Sequence, residues 1–502
     1  MENKKITAYL SSLLFLIPII QFLNKNNLPQ IVRLDLYTIF FSQFILFIIV
    51  LFFSYISYKF FIRKYLDFKI FFLFNSLIAY LFFHFRGLKD LIFDKQNSLL
   101  DDFLILLIYL LFYLIMFKLK KKILDFLIRF VLIFIVLQFS FFSFSFLNLQ
   151  INNTNFTKTE KNNSTFINID SIEIDKKNRI IFFLVLDGMM NLDLAEKFNI
   201  VKNKDELKLK FLNNQLIYND SFFSNYDLTY LSITSLLKGS YPVTETSQKY
   251  SSRKNFFPAF LYNASKDDIF FQILRKTKKN FYWSGNWWAS CEENIYVKCL
   301  NSNTWDKFFY ISKSFYFNSL YFYIFNYFDK KDNTEQSINF LKNKEYKFND
   351  NSIYLIHVMS PHPPYFFDQN CKVDKNLNQK ENYKNYAVAY NCLLNLVQEW
   401  VTYVNKTDPE SLIFILGDHG WSFDEEIMIK NQLERNETRF LPFFSYKVSK
   451  ECINLKKPNS IVNIMPFALI CSGSKDLKYI EDLKFQGFVE GDKKFGEVIL
   501  KN

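Results

Sequence analysis

Histidine is scarce in this chain of 502 residues: only His84, His357, His362 and His419 occur, and three of the four fall in two short motifs. An imidazole buried next to a strand costs desolvation unless it has a partner, so that clustering points to metal or phosphate chemistry. No Cys-x-x-Cys pair is present, which excludes a thiolate knuckle for zinc. No internal repeat occurs, and no nucleic-acid-binding motif accompanies the formal net charge of +12; that charge suits an anionic lipid surface better. Cysteine is missing from the first half of the chain. All six residues (Cys291, Cys299, Cys371, Cys392, Cys452, Cys471) lie later, an even number that fits an oxidising compartment. Pairing of neighbours, Cys291 with Cys299, Cys371 with Cys392 and Cys452 with Cys471, is the simplest connectivity.

Aromatic residues make up 20% of the chain, with 63 phenylalanines, and the first third is too apolar for a soluble domain. Five apolar stretches precede residue 148: Tyr9–Leu23, Leu36–Ile56, Ile70–Phe85, Phe103–Leu119 and Ile123–Leu147. Two reach the length of about 20 residues usual for a span and three are near the lower limit, so a pair of short ones is alternatively re-entrant. No small-residue cleavage site follows the first, which therefore reads as a retained span and not a signal peptide. Lys4 and Lys5, the group Lys59, Arg63, Lys64 and Lys69, and the group Lys118, Lys120, Lys121 and Lys122 mark one side of the membrane. Asp35, Asp90, Asp94, Asp101 and Asp102 fall in the other loops. The positive-inside rule then makes the N-terminus cytoplasmic and, with five spans, everything after residue 148 extracytoplasmic: a multi-pass protein of the cell (inner) membrane with an external domain.

Residues 148–178 are rich in Asn, Thr, Ser and Lys and read as a linker between a transmembrane domain, 1–147, and an external domain, 179–502. In the external domain Ile181–Leu186, Phe281–Ser284, Tyr354–Val358 and Leu412–Leu416 read as strands, and Ile269–Lys278 and Tyr386–Val404 as helices. This alternation predicts an α/β domain with a mainly parallel central sheet flanked by helices.

Two of those strands stop on aspartate and glycine: Leu186 runs into Asp187-Gly188, and Leu416 into Gly417-Asp418-His419-Gly420. Ligands gather where the strands of an open α/β sheet end, so Asp187, Asp418 and His419 are candidates to hold one metal ion. A plain turn is the alternative for either motif alone. From Asn225 to Pro242 a polar start gives way to helical apolar spacing at 228, 231, 233, 236 and 237, placing Thr229 in the first turn. There the helix dipole and a divalent cation would favour its alkoxide as a nucleophile; an ordinary N-cap threonine is the other reading.

Thr229 is followed by Leu236-Leu237-Lys238-Gly239-Ser240-Tyr241-Pro242. This resembles the nucleophile helix of the sulfatase and alkaline phosphatase superfamily. Leu186-Asp187-Gly188, Ser360-Pro361-His362-Pro363-Pro364 and Gly417-Asp418-His419-Gly420 follow in the superfamily's order. Five spans before an external domain resemble its membrane phosphoethanolamine and phosphoglycerol transferases, including the lipoteichoic acid synthases. The resemblance implies Asp187, Thr229, Asp418 and His419 as ligands of one divalent metal, Zn or Mn, with Thr229 also the residue that becomes phosphorylated. It further implies that His357 and His362 contact the transferred phosphate, although His357 sits inside an apolar run and a structural histidine is its other reading. Two positions depart from the sulfatase pattern. Sulfatases need Cys or Ser as nucleophile, converted to an aldehyde hydrate, with Pro two and Arg four positions on; this chain has Thr229, Leu231 and Ile233. Gly188 stands where sulfatases place a further metal-binding Asp.

Asn286, Trp287 and Trp288, at the end of an aromatic run, are candidates to bind a glycan or lipid head group, with core packing the alternative. Phe308–Phe328, flanked by lysines, reads as an interfacial helix or an ordinary buried one. The expected activity is transfer of a phospho-head group, phosphoethanolamine or phosphoglycerol, from a membrane phospholipid to a cell-envelope glycan or lipid acceptor. The alternatives are a membrane-tethered hydrolase of phosphate or sulfate esters and a non-catalytic scaffold.

Overall fold

A computed structural model describes residues 14–19, 33–62, 68–83, scattered positions between 129 and 140, 167–243, 256–263, 265–284, 291, 293–300, 333–344, 346–363, 365, 367–373, 383–421, 438–474, 476–487 and 498–501. The chain divides into two compact units, Met1–Phe156 with Asn303–Lys330, and Thr157–Ser302 with Lys331–Asn502.

In the first unit, helix α1 (Arg33–Ser57) runs into a π-helical turn at Tyr58–Ile62 and is followed by α2 (Phe68–Phe83). Phe47 of α1 packs edge-on against Phe15 at 5.3 Å and Phe72 at 5.8 Å, and Asn75 Nδ2 donates to Ser54 Oγ across the helix pair at 2.8 Å. Helix α1 also exposes Phe40, Phe44, Phe52 and Phe53. Such an outward apolar surface is stable in hydrocarbon and unstable in water. Among the described residues one helix is long and apolar enough to cross a membrane, Ile39–Phe60, 22 residues with a mean hydropathy of 2.5. The stretch Phe103–Leu119, and nearly all of Ile123–Leu147, lie outside the described residues.

The second unit is an α/β domain. Its strands are β1 (Ile181–Leu186), β2 (Ile217–Tyr218), β3 (Asn280–Ser284), β4 (Val297–Cys299), β5 (Ser352–Val358), β6 (Leu412–Leu416) and β7 (Phe444–Lys447), in the spatial order β2-β7-β6-β1-β5-β3-β4. The five strands from β6 to β4 are parallel; β7 and β2 add an antiparallel edge beside β6. A separate hairpin joins β8 (Lys484–Gly487) to β9 (Val498–Lys501). Alternation along β1 explains its unbroken apolar run: Phe182, Leu184 and Leu186 enter one core, and Ile181, Phe183 and Val185 the other. Helices α3 (Leu192–Lys197), α4 (Lys204–Asn213), α8 (Asn333–Lys342) and α9 (Tyr383–Thr407) cover the first face. Helices α5 (Thr229–Lys238), α6 (Ala259–Asn263), α7 (Ile269–Thr277) and α10 (Ile464–Cys471) cover the second.

Residues 167–178, within the segment read as a linker, pack into this domain. Ile167 and Ile172 join the second core. Asp175 is buried against Arg179 (3.4 Å) and Lys279 (3.7 Å). The disulfides are Cys291–Cys299, Cys371–Cys392 and Cys452–Cys471, the neighbour pairing.

Candidate active site

Neighbouring strand ends assemble the site. Asp187 follows the last residue of β1, and its N–H donates to the carbonyl of Val358 at the end of β5 (2.9 Å). His357 lies within β5, whose register sets it beside Val185. Asp418 and His419 follow β6, which pairs with the other edge of β1. Gly420 is required by close approach: a Cβ there would lie 2.1 Å from the carbonyl oxygen of Thr438. Thr229 is the first residue of α5; Leu228, not Thr229, takes the N-cap position, without a side-chain cap.

Each carboxylate is anchored by one oxygen and leaves the other bare. Asp187 Oδ2 accepts from His357 Nε2 (3.1 Å), and Asp418 Oδ1 accepts from the amide of Gly188 (2.9 Å). Asp187 Oδ1 and Asp418 Oδ2 are buried with no hydrogen-bond partner. A buried carboxylate oxygen without a donor is costly, and a cation relieves that cost. The third donor is set by a backbone group. His419 Nδ1 is 2.7 Å from the Gly420 carbonyl, which only accepts, so the proton sits on Nδ1 and the Nε2 lone pair is available. Nε2 lies 3.5 Å from Asp418 Oδ2, 3.9 Å from Asp187 Oδ1 and 3.4 Å from Thr229 Oγ1. One ligand atom from each of Asp187, Asp418 and His419 falls within 4.8 Å of the others. Tetrahedral coordination needs ligand atoms roughly 3–4 Å apart, so the residues fit a divalent ion with a nitrogen and hard oxygen donors, as Zn²⁺ and Mn²⁺ accept. Burial pushes the Asp187 carboxyl up, but the neighbouring His362 and the hydrogen bond from His357 outweigh it and hold the group well below the ordinary carboxylate range.

The two histidines expected at the phosphate are placed differently. His357 is buried behind Asp187, committed to its Oδ2. His362 is partly open; its amide donates to the Asp187 carbonyl at 3.1 Å, and its Nδ1–H donates to the carbonyl of Pro363 at 2.6 Å. With Nδ1 engaged there, Nε2 is the remaining ring nitrogen. Two residues not singled out in the sequence frame it. The Trp421 ring meets His362 edge-on at 4.8 Å, and Tyr386 lies nearly parallel to Trp421 at 6.2 Å. Tyr386 also donates from its hydroxyl to the Gly188 carbonyl (2.9 Å). The only sequence signals for them were an aromatic residue directly after the Asp-His-Gly motif and a tyrosine on the buried side of a predicted helix. Asn286, Trp287 and Trp288, and the segment Phe308–Phe328, lie outside the described residues.

A threonine hydroxyl at a helix N-terminus, 3.4 Å from an imidazole that is grouped with two carboxylates at strand ends, fits a phosphate- or sulfate-ester centre of metal-assisted type. The Sulfatase family model matches residues 180–473, more than half of the chain, and the chain belongs to that family. No curated protein matches it. Among solved structures it is similar to the C-terminal periplasmic domain of EptC from Escherichia coli, at 10% identity and TM-score 0.38, over 67% of this chain and 95% of that one. It is similar also to the lipoteichoic acid synthase LtaP from Listeria monocytogenes, at 14% identity and TM-score 0.34, over 63% and 81% of the two chains. The integral membrane lipooligosaccharide phosphoethanolamine transferase A from Neisseria meningitidis aligns at 12% identity and TM-score 0.35, over 95% and 96%.

Proposed function

We propose that the chain is a membrane-embedded phosphotransferase that moves a phospho-head group, phosphoethanolamine or phosphoglycerol, from a phospholipid to a cell-envelope glycan or lipid through a phosphothreonine at Thr229. The observation that carries this reading is the placement of the Thr229 hydroxyl in the first turn of α5, 3.4 Å from His419 Nε2, which itself lies 3.5 Å from Asp418 Oδ2 and 3.9 Å from Asp187 Oδ1. Threonine cannot form the aldehyde hydrate of sulfatases, so the family name describes the fold of this chain and not its reaction.

Asp187, Asp418, His419 and Thr229 would hold one Zn²⁺ or Mn²⁺, which supplies positive charge that favours the threonine alkoxide and stabilises the equatorial phosphoryl oxygens. In the first step Thr229 gives up its proton to solvent, Oγ1 forms a bond to phosphorus, and the bond from phosphorus to the diacylglycerol oxygen breaks. Protonated His362 donates from Nε2 to that leaving oxygen, while its Nδ1–H stays on the Pro363 carbonyl. In the second step His362 Nε2 takes the proton of the acceptor hydroxyl, whose oxygen displaces Thr229 from phosphorus. The helix dipole of α5 favours the anionic group throughout. His357 acts through Asp187, holding Oδ2 so that Oδ1 would be left to hold the metal.

A phospholipid donor requires a membrane seat. The apolar helix Ile39–Phe60 supports a membrane seat, the three disulfides support an extracytoplasmic catalytic domain, and the count of five spans with a cytoplasmic N-terminus rests on the apolar stretches and basic loops of the sequence. The test is to incubate the purified chain with phosphatidylethanolamine or phosphatidylglycerol and digest it for mass spectrometry. A phospho-head-group adduct on Thr229 that an envelope glycan or lipid A type acceptor discharges is the expected result. Discharge by water alone would make the chain a hydrolase, and no adduct would overturn the covalent route.

A further inference from the structure

Thr229 and His419 are 190 residues apart in sequence, so something other than chain connectivity sets the 3.4 Å between their functional atoms. One residue touches both loops. The carbonyl of Arg439 accepts from the amide of Gly420 at 2.7 Å, directly behind His419. Its guanidinium Nη2 donates to the carbonyl of Asp227 at 2.9 Å, two residues ahead of Thr229. The surrounding main chain runs the same way: Ser224 Oγ donates to the Arg439 carbonyl at 3.4 Å, and the Ser224 amide to the Phe440 carbonyl at 3.0 Å. Residues 438–440 therefore lie between the nucleophile turn and the metal-binding loop. Thr438 and Phe440, on either side, are buried and fix the segment in place.

The guanidinium reaches the Asp227 carbonyl through Nη2, and its Nε is buried without a hydrogen-bond partner.

We propose that Arg439 is a positioning residue: its main chain holds the loop of His419, its side chain holds the turn of Thr229, and the two together set the separation at which both reach one metal. This rests on the reading of Thr229 as nucleophile and ligand. The side chain and the main chain are separable by mutation, because substitution removes the hold on Asp227 and leaves the carbonyl that holds Gly420.

A double-mutant cycle on metal affinity tests this without turnover. Zn²⁺ binding to the full chain in detergent is titrated by competition for the native protein, R439Q, T229V and the pair. R439Q is expected to weaken Zn²⁺ about tenfold with Thr229 present. In the T229V background it should weaken Zn²⁺ by less than about twofold, because the contact acts only through the threonine. With bis(p-nitrophenyl) phosphate, kcat of R439Q should fall by about a hundredfold with KM little changed, as for a displaced nucleophile. Unchanged affinity in both backgrounds, or an equal loss in both, overturns the proposal. If R439Q melts early, R439K, which keeps the charge and the stem, is read in the same cycle. Should the native chain bind Zn²⁺ but turn over no phosphodiester, the transferase reading falls while the cycle still decides the role of Arg439.

Discussion

His357 donates from Nε2 to Oδ2 of Asp187 across 3.1 Å, and both side chains are buried. The contact fixes which oxygen of Asp187 is left bare and keeps His357 away from any substrate. His357→Ala should therefore act on the metal before it acts on chemistry. Outer partners of this kind are worth about 10–100-fold in affinity. Elemental analysis after dialysis, with a Zn²⁺ competition titration, checks this. A variant with native affinity and only a lower kcat would place His357 at the phosphate instead.

Thr229→Ala should lower turnover of a phosphodiester by about 10⁴-fold or more, as loss of a covalent nucleophile does. Thr229 is only partly buried, so its removal costs little packing. Circular dichroism melts should agree with the native protein to within about 2 °C, the scale of a change well below 1 kcal/mol in a large domain. Retained activity would end the phosphothreonine route.

How far the sequence reached depended on whether a residue's neighbours were local. Ile181–Leu186 and Leu412–Leu416 occur as read, because a strand buried on both faces shows as a continuous apolar run ended by its turn. Helix α9 is longer than the predicted Tyr386–Val404 because its ends, Tyr383 and Thr407, lie beyond the apolar stripe. Strand β7 was not legible. It is four residues long, its polar Ser445 and Lys447 are buried although their alternation with Phe444 and Tyr446 reads as solvent-facing, and β2, its edge partner, is two residues long. The start of the domain was masked in the same way by polar residues that turn inward, Asp175 and Arg179. The positions of Asp187, Asp418 and His419 after strands and of Thr229 at a helix start were legible because the flanking apolar runs mark those ends. Arg439 and Trp421 were not, because their contacts are to loops remote in sequence.

Lys447 gives a pH dependence with a definite sign. Burial pushes its ammonium down to about 8, against the opposing pull of Asp408 and Glu410, and its Nζ has no hydrogen-bond partner. Lys279 is likewise pushed down to about 8 by burial, against Asp175. In the unfolded chain lysine titrates near 10.4, so between about pH 8 and 10 the unfolded state holds more protons and stability rises with pH. Below pH 8 both states are charged and the burial cost is fully present. Above about pH 10 the trend reverses, because buried phenols such as Tyr226 and Tyr386 stay protonated only in the fold. Lys447→Met removes the charge and keeps the stem. It should stabilise the domain at pH 7 by on the order of 1 kcal/mol and flatten the rise from pH 8 to 10. Urea melts across that range measure both; a destabilised variant with the native slope would mean Lys447 is paired in solution.

Gly239 closes α5 in the left-handed region, at φ 56°, with its amide on the Ser235 carbonyl at 2.8 Å. A Cβ at this position would lie 2.4 Å from Ile167 Cδ1 and 3.2 Å from Pro466 Cδ. The glycine thus serves the helix end and also the seat of Ile167, which precedes β1 and seals the second core. Gly239→Ala carries about 1–2 kcal/mol of left-handed strain, and the overlap with Ile167 adds to it. Ile167→Ala opens the space that the new methyl group needs, at its own cavity cost. The double variant should consequently be less destabilised than the sum of the two single ones, with a coupling of about 0.5–3 kcal/mol, as for residues in contact. Equilibrium denaturation of the native chain, both single variants and the pair supplies all four terms. Strict additivity would show that Ile167 does not rest on the helix end.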